Sequence, residues 1–426
     1  MSVYDALATL YGLSEYELTF LALSRNIQLA ISDIFGSSGL VVDQSGQAYV
    51  IPILILAFTA AITETPLLDQ DTGAATVGLS LNRHHPEIPL FPSPLPTPGA
   101  SADTEEIIRQ FQALSRSTKW RLVGKIPFEG DTFEPEGMVR LSSQGDSINN
   151  KDADNNNTRY LVSSGEYIVP TEKYPDGVII NGTDRTAGAG LSHLLIYDGQ
   201  GKRLGDAVLT SSFPGSVAEE YHLGGLDYDG RYLWATASQY RPNTTATLIR
   251  VDLSASSSLS EELIVEPLIR IRDHQGGVVH DVSTQTLLTL NWGSRAASLW
   301  DLRRHTPPAA PFRSSFAQPR AVVTNPSHYV DYQDCKSLGR PAVYGNRSVM
   351  MCSGVAELGP NMTIGGLAIV DVQSMMPLAE VPITLTTELG APMTKNPMDV
   401  ALVGGRLRFF FLPNERNSTL YVYEAA

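Results

Sequence analysis

The sequence predicts an all-β fold, a β-propeller of four-stranded blades, preceded by a helical and Pro-rich N-terminal extension. Three observations lead there. First, YHLGGLDYDG at 221–230 has relatives further along the chain: HQGGVVHD at 274–281, SHYVDYQD at 327–334 and, more faintly, PEGMVRL at 135–141 and KNPMDVALVGGRL at 395–407. Second, from Trp120 onward short runs of high β-propensity follow one another (WRLVGKIPF, RYLVSSGEYIVP, SHLLIYDG, YLWATAS, ATLIRVDL, TLLTLNW, LAIVDV, LRFFFLP, STLYVYE), separated by Gly, Pro, Asn or Asp. Third, the chain of 426 residues holds 35 Gly and 27 Pro while only 18% of it is charged, as many short strands and turns require.

Residues 1–49 form an N-terminal extension that carries a helical pattern over 1–38, ending at a Gly-Ser-Ser-Gly break. Residues 50–62, VIPILILAFTAAI, are apolar throughout but short for a bilayer span and interrupted by Pro52. Two readings compete for this segment. It is a signal-like h-region behind an upstream extension, which makes the protein secreted, or it is an anchor that leaves the propeller outside the membrane. Residues 63–118 read as a linker: PEIPLFPSPLPTPGAS is expected to be extended and poorly packed, with a short amphipathic helix, TEEIIRQFQALSRS, able to cap an edge of the domain. The propeller domain is assigned to 119–426.

Within it, openings near Pro135, Tyr221, Gln275, Ser327 and Asn396 mark about five blades. The long first gap, with the polar insertion NNKDADNNNTR, leaves room for a sixth. The ring is expected to close when Trp120–Phe128 adds an outer strand to the last blade. A pair of β-sandwiches is the runner-up, but it does not explain the repeated openings.

A net charge of −14 excludes nucleic acid as a partner, because no basic face is present to release counterions from phosphates. The expected partner is a small molecule, and the expected state a monomer. Two cysteines one hairpin apart, Cys335 and Cys352, predict one disulfide. N-x-[ST] sequons begin at Asn156, Asn181, Asn243, Asn346, Asn361 and Asn417, which favours passage through a secretory pathway and glycosylation.

In a propeller the innermost strands line a channel, and their first residues converge at one mouth. That position holds Glu136, His222, His274, His328 and Asn396. Only eight histidines exist in the chain, and three of them fall here. Such a ring suits a divalent metal, with Glu136 and Asn396 favouring calcium and the histidines iron or zinc. It equally suits general acid and base work, for which His222, His274 and His328 are the catalytic candidates. The same residues also serve as plain hydrogen-bonded ties between blades. A second tier comprises Asp227, Asp229, His280, Asp281, Asp331 and Asp334, turn or inter-blade aspartates first and chemistry second. Arg295 and Arg241 stand beside aromatics, where a guanidinium can clamp a carboxylate.

The ordered motifs FEPEGMV, YHLGGLDYDG, SQYRPN, DHQGGVVHD, NWGSR, NPSHYVDYQDC and MTKNP resemble a family of predicted secreted β-propeller proteins of fungi and bacteria classed as a domain of unknown function. The resemblance covers about 119–426 and implies the fold without an activity. More distantly, Pro135-Glu136-Gly137 is similar to the channel glutamate motif of gluconolactonase, paraoxonase and strictosidine-synthase-like propellers. That likeness implies a channel Ca²⁺ held through Glu136 and Asn396 and metal-assisted hydrolysis of a lactone or ester. The inner-strand histidines resemble those of carotenoid-cleaving oxygenases, which implies a histidine-ligated iron instead. A non-catalytic extracellular binding propeller is the third expectation.

Overall fold

The structure is a computed structural model that describes residues 40–42, 48–50, 76–142, 158–210, 212, 217–255, 262–305, 316–359 and 362–426. The chain divides into two units, 1–69 and 70–426. In the first, β1 (Leu40–Val42) pairs antiparallel with β2 (Ala48–Val50). The expected N-terminal helix and the apolar segment 50–62 lie almost wholly outside the described residues.

The second unit opens with β3 (Val77–Ser80), β4 (Asn82–Arg83), α1 (Gly99–Ala102), α2 (Thr104–Gln112) and β5 (Trp120–Pro127). Five blades follow. Blade 1 is β6 (Glu134–Leu141), β7 (Arg159–Val169), β8 (Ala189–Asp198) and β9 (Arg203–Val208). Blade 2 has an innermost strand in two pieces, β10 (His222–Leu223) and β11 (Asp227–Tyr228), then β12 (Tyr232–Ser238), β13 (Ala246–Asp252) and β14 (Glu262–Ile271). Blade 3 is β15 (Gly277–Asp281), β16 (Thr286–Leu290), β17 (Ala296–Asp301) and β18 (Ala321–Thr324). Blade 4 is β19 (Asp331–Gly339), β20 (Val349–Gly359), β21 (Met362–Asp371) and β22 (Pro377–Ile383). Blade 5 is β23 (Met398–Val403), β24 (Arg406–Phe411) and β25 (Thr419–Ala425), completed by β5, whose Trp120 to Pro127 pair with Ala425 to Thr419. The expected closure is therefore present. The sixth blade is not: β6 pairs directly with β7, Leu141 opposite Arg159, so the long gap is a connection inside blade 1.

The burial pattern follows strand position. Second strands are sandwiched between blades, and TLLTL of β16 is buried at every residue. The ELIVEPLIRI of β14 lies further out and alternates strictly after its first residue. Cys335 and Cys352 stand opposite each other on β19 and β20 and form the expected disulfide.

The segment before residue 119 departs from the linker reading. Leu79, Leu81, Leu90 and Phe91 are buried in the same apolar cluster as the cores of blades 1 and 2. β3 extends the outer edge of blade 2 and β4 that of blade 1, so one short stretch stitches two blades together. The apolar residues between the prolines fill the space between those blades, which anchors a stretch whose composition alone suggests a loose tether. α2 buries Ile107, Ile108 and Phe111 against blades 4 and 5. Its Gln110 accepts from Leu407 N (2.7 Å) and donates to Gly405 O (2.8 Å), capping the β23–β24 turn. The helix thus covers the bottom face, opposite the ends at which the innermost strands begin.

Near the axis the innermost strands touch backbone to backbone. A Cβ on Gly137 would lie 2.7 Å from the Gly225 carbonyl carbon, and one on Gly224 would lie 2.6 Å from Gly276 O. A ring of five blades leaves a narrow centre, and only glycine allows this approach. Below that layer the axis is filled by Lys336, whose Nζ bonds Asp334 Oδ1 and Leu226 O, both at 2.6 Å. Asp227 accepts from the backbone N–H of His280 (2.8 Å) and Ser337 (3.3 Å), Asp334 from Met138 (3.2 Å) and Met398 (3.3 Å), and Asp399 from Arg140 (2.5 Å). Buried aspartates therefore tie the blades together around the axis.

Candidate functional site

The top mouth, floored by the glycine layer, brings together part of the expected ring. Glu136 occupies a bulge in β6, between Pro135 and Gly137, and its Oε1 lies 3.2 Å from Nε2 of His222 on β10. The His222 ring centroid is 5.2 Å from that of His274 and 4.9 Å from that of Tyr240, on which it stacks. His274 Nδ1 contacts the Gln239 carbonyl oxygen at 2.6 Å, so this nitrogen carries the proton and donates it. Burial first, then the neighbouring His222, pushes the His274 pKa down to about 3, and its imidazole is neutral at physiological pH. His222 Nδ1 is buried and has no hydrogen-bond partner among the described residues.

Glu134, which the sequence reading passed over, is the second carboxyl of this mouth. Burial, then the charges of Glu136 and Glu415, raise its pKa to about 8, so it holds a proton at neutral pH. The Tyr167 hydroxyl is close enough to oppose that rise, yet it closes no hydrogen bond of standard geometry. Tyr167, Tyr240 and Trp292 form an aromatic wall, with centroids 4.9 Å apart for the first pair and 5.3 Å for the second. Trp292 meets His274 edge-on at 4.8 Å and carries the guanidinium of Arg185 at 4.4 Å over its ring.

The remaining candidates lie elsewhere. His328 is exposed and sits 3.0 Å from Arg295, whose other contacts are Gly293 O (2.8 Å), Ser327 O (3.0 Å) and Asp331 Oδ1 (2.7 Å). Arg295 is therefore engaged by its own rim neighbours, and Arg241 is folded onto the Gln239 side chain (2.8 Å). Asn396 is buried, with its amide nitrogen 3.3 Å from Pro413 O. Asp227 belongs to the axial ties, where burial raises its pKa to about 7. Asp229 accepts from His280 Nδ1 (2.9 Å) and Trp234 Nε1 (2.7 Å), and Asp281 from Ser283 Oγ (2.6 Å) and from Ser348 Oγ of blade 4. Asp331 lies at the rim against Arg295, and Asp334 takes an axial place against Lys336.

A divalent cation requires several of these donors to converge. Among the described residues no group of three or more His, Cys, Asp or Glu is arranged to hold a metal, the Asn396 amide is spent on Pro413, and His328 is turned to the rim. The five expected residues therefore do not converge as the ligand ring of a divalent cation.

Fold and mouth together define a five-bladed β-propeller with a titratable, aromatic-walled site at one end of its axis. The chain belongs to the Family of unknown function (DUF6454), which matches residues 95–426. No curated protein matches the chain. Among solved structures, the chain is similar to a hypothetical protein from Leishmania major (8% identity, 75% of this chain and 94% of that one, TM-score 0.37). It is also similar to a glucose dehydrogenase (10%, 72% and 99%, TM-score 0.33). Against Kuenenia stuttgartiensis hydrazine synthase it spans about half of that chain (11% identity, 53% of each, TM-score 0.28). At these scores the likenesses say nothing further about this chain.

Proposed function

We propose that this propeller hydrolyses a small ester or lactone at its top mouth by general acid and base catalysis. The observation that carries the reading is the close pair of Glu136 and His222 beside a second glutamate, Glu134, that holds its proton to about pH 8. A carboxyl that keeps its proton is a donor for a departing oxygen, and a second carboxyl beside it can serve as the base. Glu136 takes the proton of the attacking water, His222 fixes the orientation of that carboxylate, and Glu134 donates its proton to the departing oxygen. The unpartnered His222 Nδ1 is an acceptor that a hydroxyl of the bound substrate would satisfy. The disulfide, together with the exposed sequon asparagines Asn181, Asn243, Asn346 and Asn417, supports a secreted, glycosylated protein. Asn156 and Asn361 lie outside the described residues. No helix among the described residues is long and apolar enough to cross a membrane.

The test is a panel of chromogenic esters and lactones with the full chain, followed by a pH profile of kcat/KM. Activity should fall as pH rises through about 8, where Glu134 loses its proton. Turnover that keeps rising above pH 9 and survives Glu134→Gln and Glu136→Gln would overturn the reading.

A further inference from the structure

We propose that Arg185 selects the substrate of this mouth, and that the substrate is a flat-ringed ester or lactone carrying a carboxylate. The proposal rests on the hydrolytic reading above and adds the class of molecule it acts on.

Between β7 and β8 the chain makes an excursion, 170–188, outside the blade pattern. Its two arms are held together by Tyr174 N to Asp184 O (2.8 Å) and Thr186 N to Glu172 O (2.9 Å), with a bridge between Lys173 and Arg185. It leaves blade 1 and reaches the top loops of the next two blades. Asn243 of blade 2 donates to Gly182 O (2.6 Å), and Trp292 of blade 3 lies under Arg185. The excursion thus straps the mouth and carries a cation to it.

The Arg185 side chain is only 11% exposed. Asp184 takes its Nε and Nη2 at 2.8 and 3.1 Å, and Nη1 has no hydrogen bond among the described residues. Asp184 takes the Nε side of the fork, so the N–H groups of the Nη1–Nη2 end are the ones left to match a carboxylate. Its charge is felt inside the site, where it opposes protonation of His274 and offsets part of the rise at Tyr240. A chain of contacts through Trp292 and Tyr240 links this guanidinium to the His222–Glu136 pair. A ligand that fills this line stacks a ring on the aromatic wall, gives a carboxylate to Arg185 and presents its acyl bond to Glu136. Water adds to the acyl carbon, the acyl C–O bond breaks, Glu136 receives a proton from water and Glu134 supplies one to the leaving oxygen. Acid and alcohol are the products, and no further reactant is consumed.

The experiment is calorimetric titration of the full chain with benzoate and, separately, with benzamide, in the parent protein and in Arg185→Met and Arg185→Lys. Benzoate should bind the parent at least roughly tenfold more tightly than benzamide. Arg185→Met should remove that preference, and Arg185→Lys should restore part of it with an unchanged melting temperature. Equal binding of both probes, no saturable binding of benzoate, or an undiminished preference in Arg185→Met would each overturn the proposal. Glu136→Gln separates the two readings: it should keep the preference for benzoate while turnover is lost. Retained turnover with an intact preference would sink the hydrolytic reading alone.

Discussion

Replacing Lys336 with Met should destabilise the propeller strongly at pH 8 and much less at pH 5. Lys336 and Asp334 are 3% and 0% exposed as side chains, so water takes over little of what the substitution removes. At pH 8 the loss of Nζ leaves Asp334, buried beside Asp399, without its cation, so that it must take up a proton to stay buried, and it leaves Leu226 O without its donor. Breaking a buried pair from one side costs about 3–5 kcal/mol. At pH 5 the balance changes, because burial has raised Asp334 and Asp227 to about 7 and both are already protonated in the parent. What remains is the carbonyl left unsatisfied, about 1–3 kcal/mol. Urea unfolding followed by tryptophan fluorescence at the two pH values measures both numbers. A loss below about 1 kcal/mol at pH 8, or the same loss at both pH values, would refute the axial ion-pair argument.

Further outcomes follow from the same contacts. Gly137→Ala places a methyl against the backbone of Gly225 and Leu226 and should cost about 3 kcal/mol, since backbone yields less than a flexible side chain. A parent-like melting temperature for that variant would contradict the tight axis. The double variant Cys335→Ala, Cys352→Ala releases a link spanning 17 residues and should lose about 3 kcal/mol from the unfolded-state constraint, with the lost sulfur packing in addition. An unchanged melting temperature would count against the link. Parent stability should rise from pH 8 towards pH 5. Glu134, Asp227 and Asp334 have folded pKa values raised to about 8, 7 and 7 by burial, so the stability they add is complete below their unfolded pKa and lost as pH rises through those values. His274, held at about 3, works in the opposite direction below its unfolded pKa but is one group against three. A thermal scan series with its maximum above pH 7 would contradict this balance.

The blade repeat was legible because each innermost strand opens with its own short motif, and the closing strand because Trp120 to Pro127 has no partner in its own neighbourhood. Glu136, His222 and His274 were legible for the same reason: all three sit where an inner strand begins. His328 was misplaced because the inner strands are not in simple register. β19 carries shifts between Tyr332 and Asp334 and again between Ser337 and Gly339, and blade 2 splits its inner strand in two. Motif spacing carries no sign of such shifts. The spacing of Glu134 and Glu136 was visible as E-P-E and could have been weighed. Lys336 left one signal, a lysine inside the otherwise buried DCKSL run of β19. Arg185 left none, since it arrives from an excursion that no strand period describes. The Pro-rich stretch misled in the other direction: its composition suggests a tether, whereas Leu90 and Phe91 are core residues.

We propose above all that Glu136, oriented by His222, is the base of a hydrolytic mouth. Its most direct test pairs turnover with melting temperature for Glu136→Gln, using whichever ester or lactone the parent cleaves fastest. The variant should keep a melting temperature within a few degrees of the parent's and lose about 10²–10⁴-fold in kcat, the contribution of a positioned general base. Turnover within about twofold of the parent in a folded variant would contradict it.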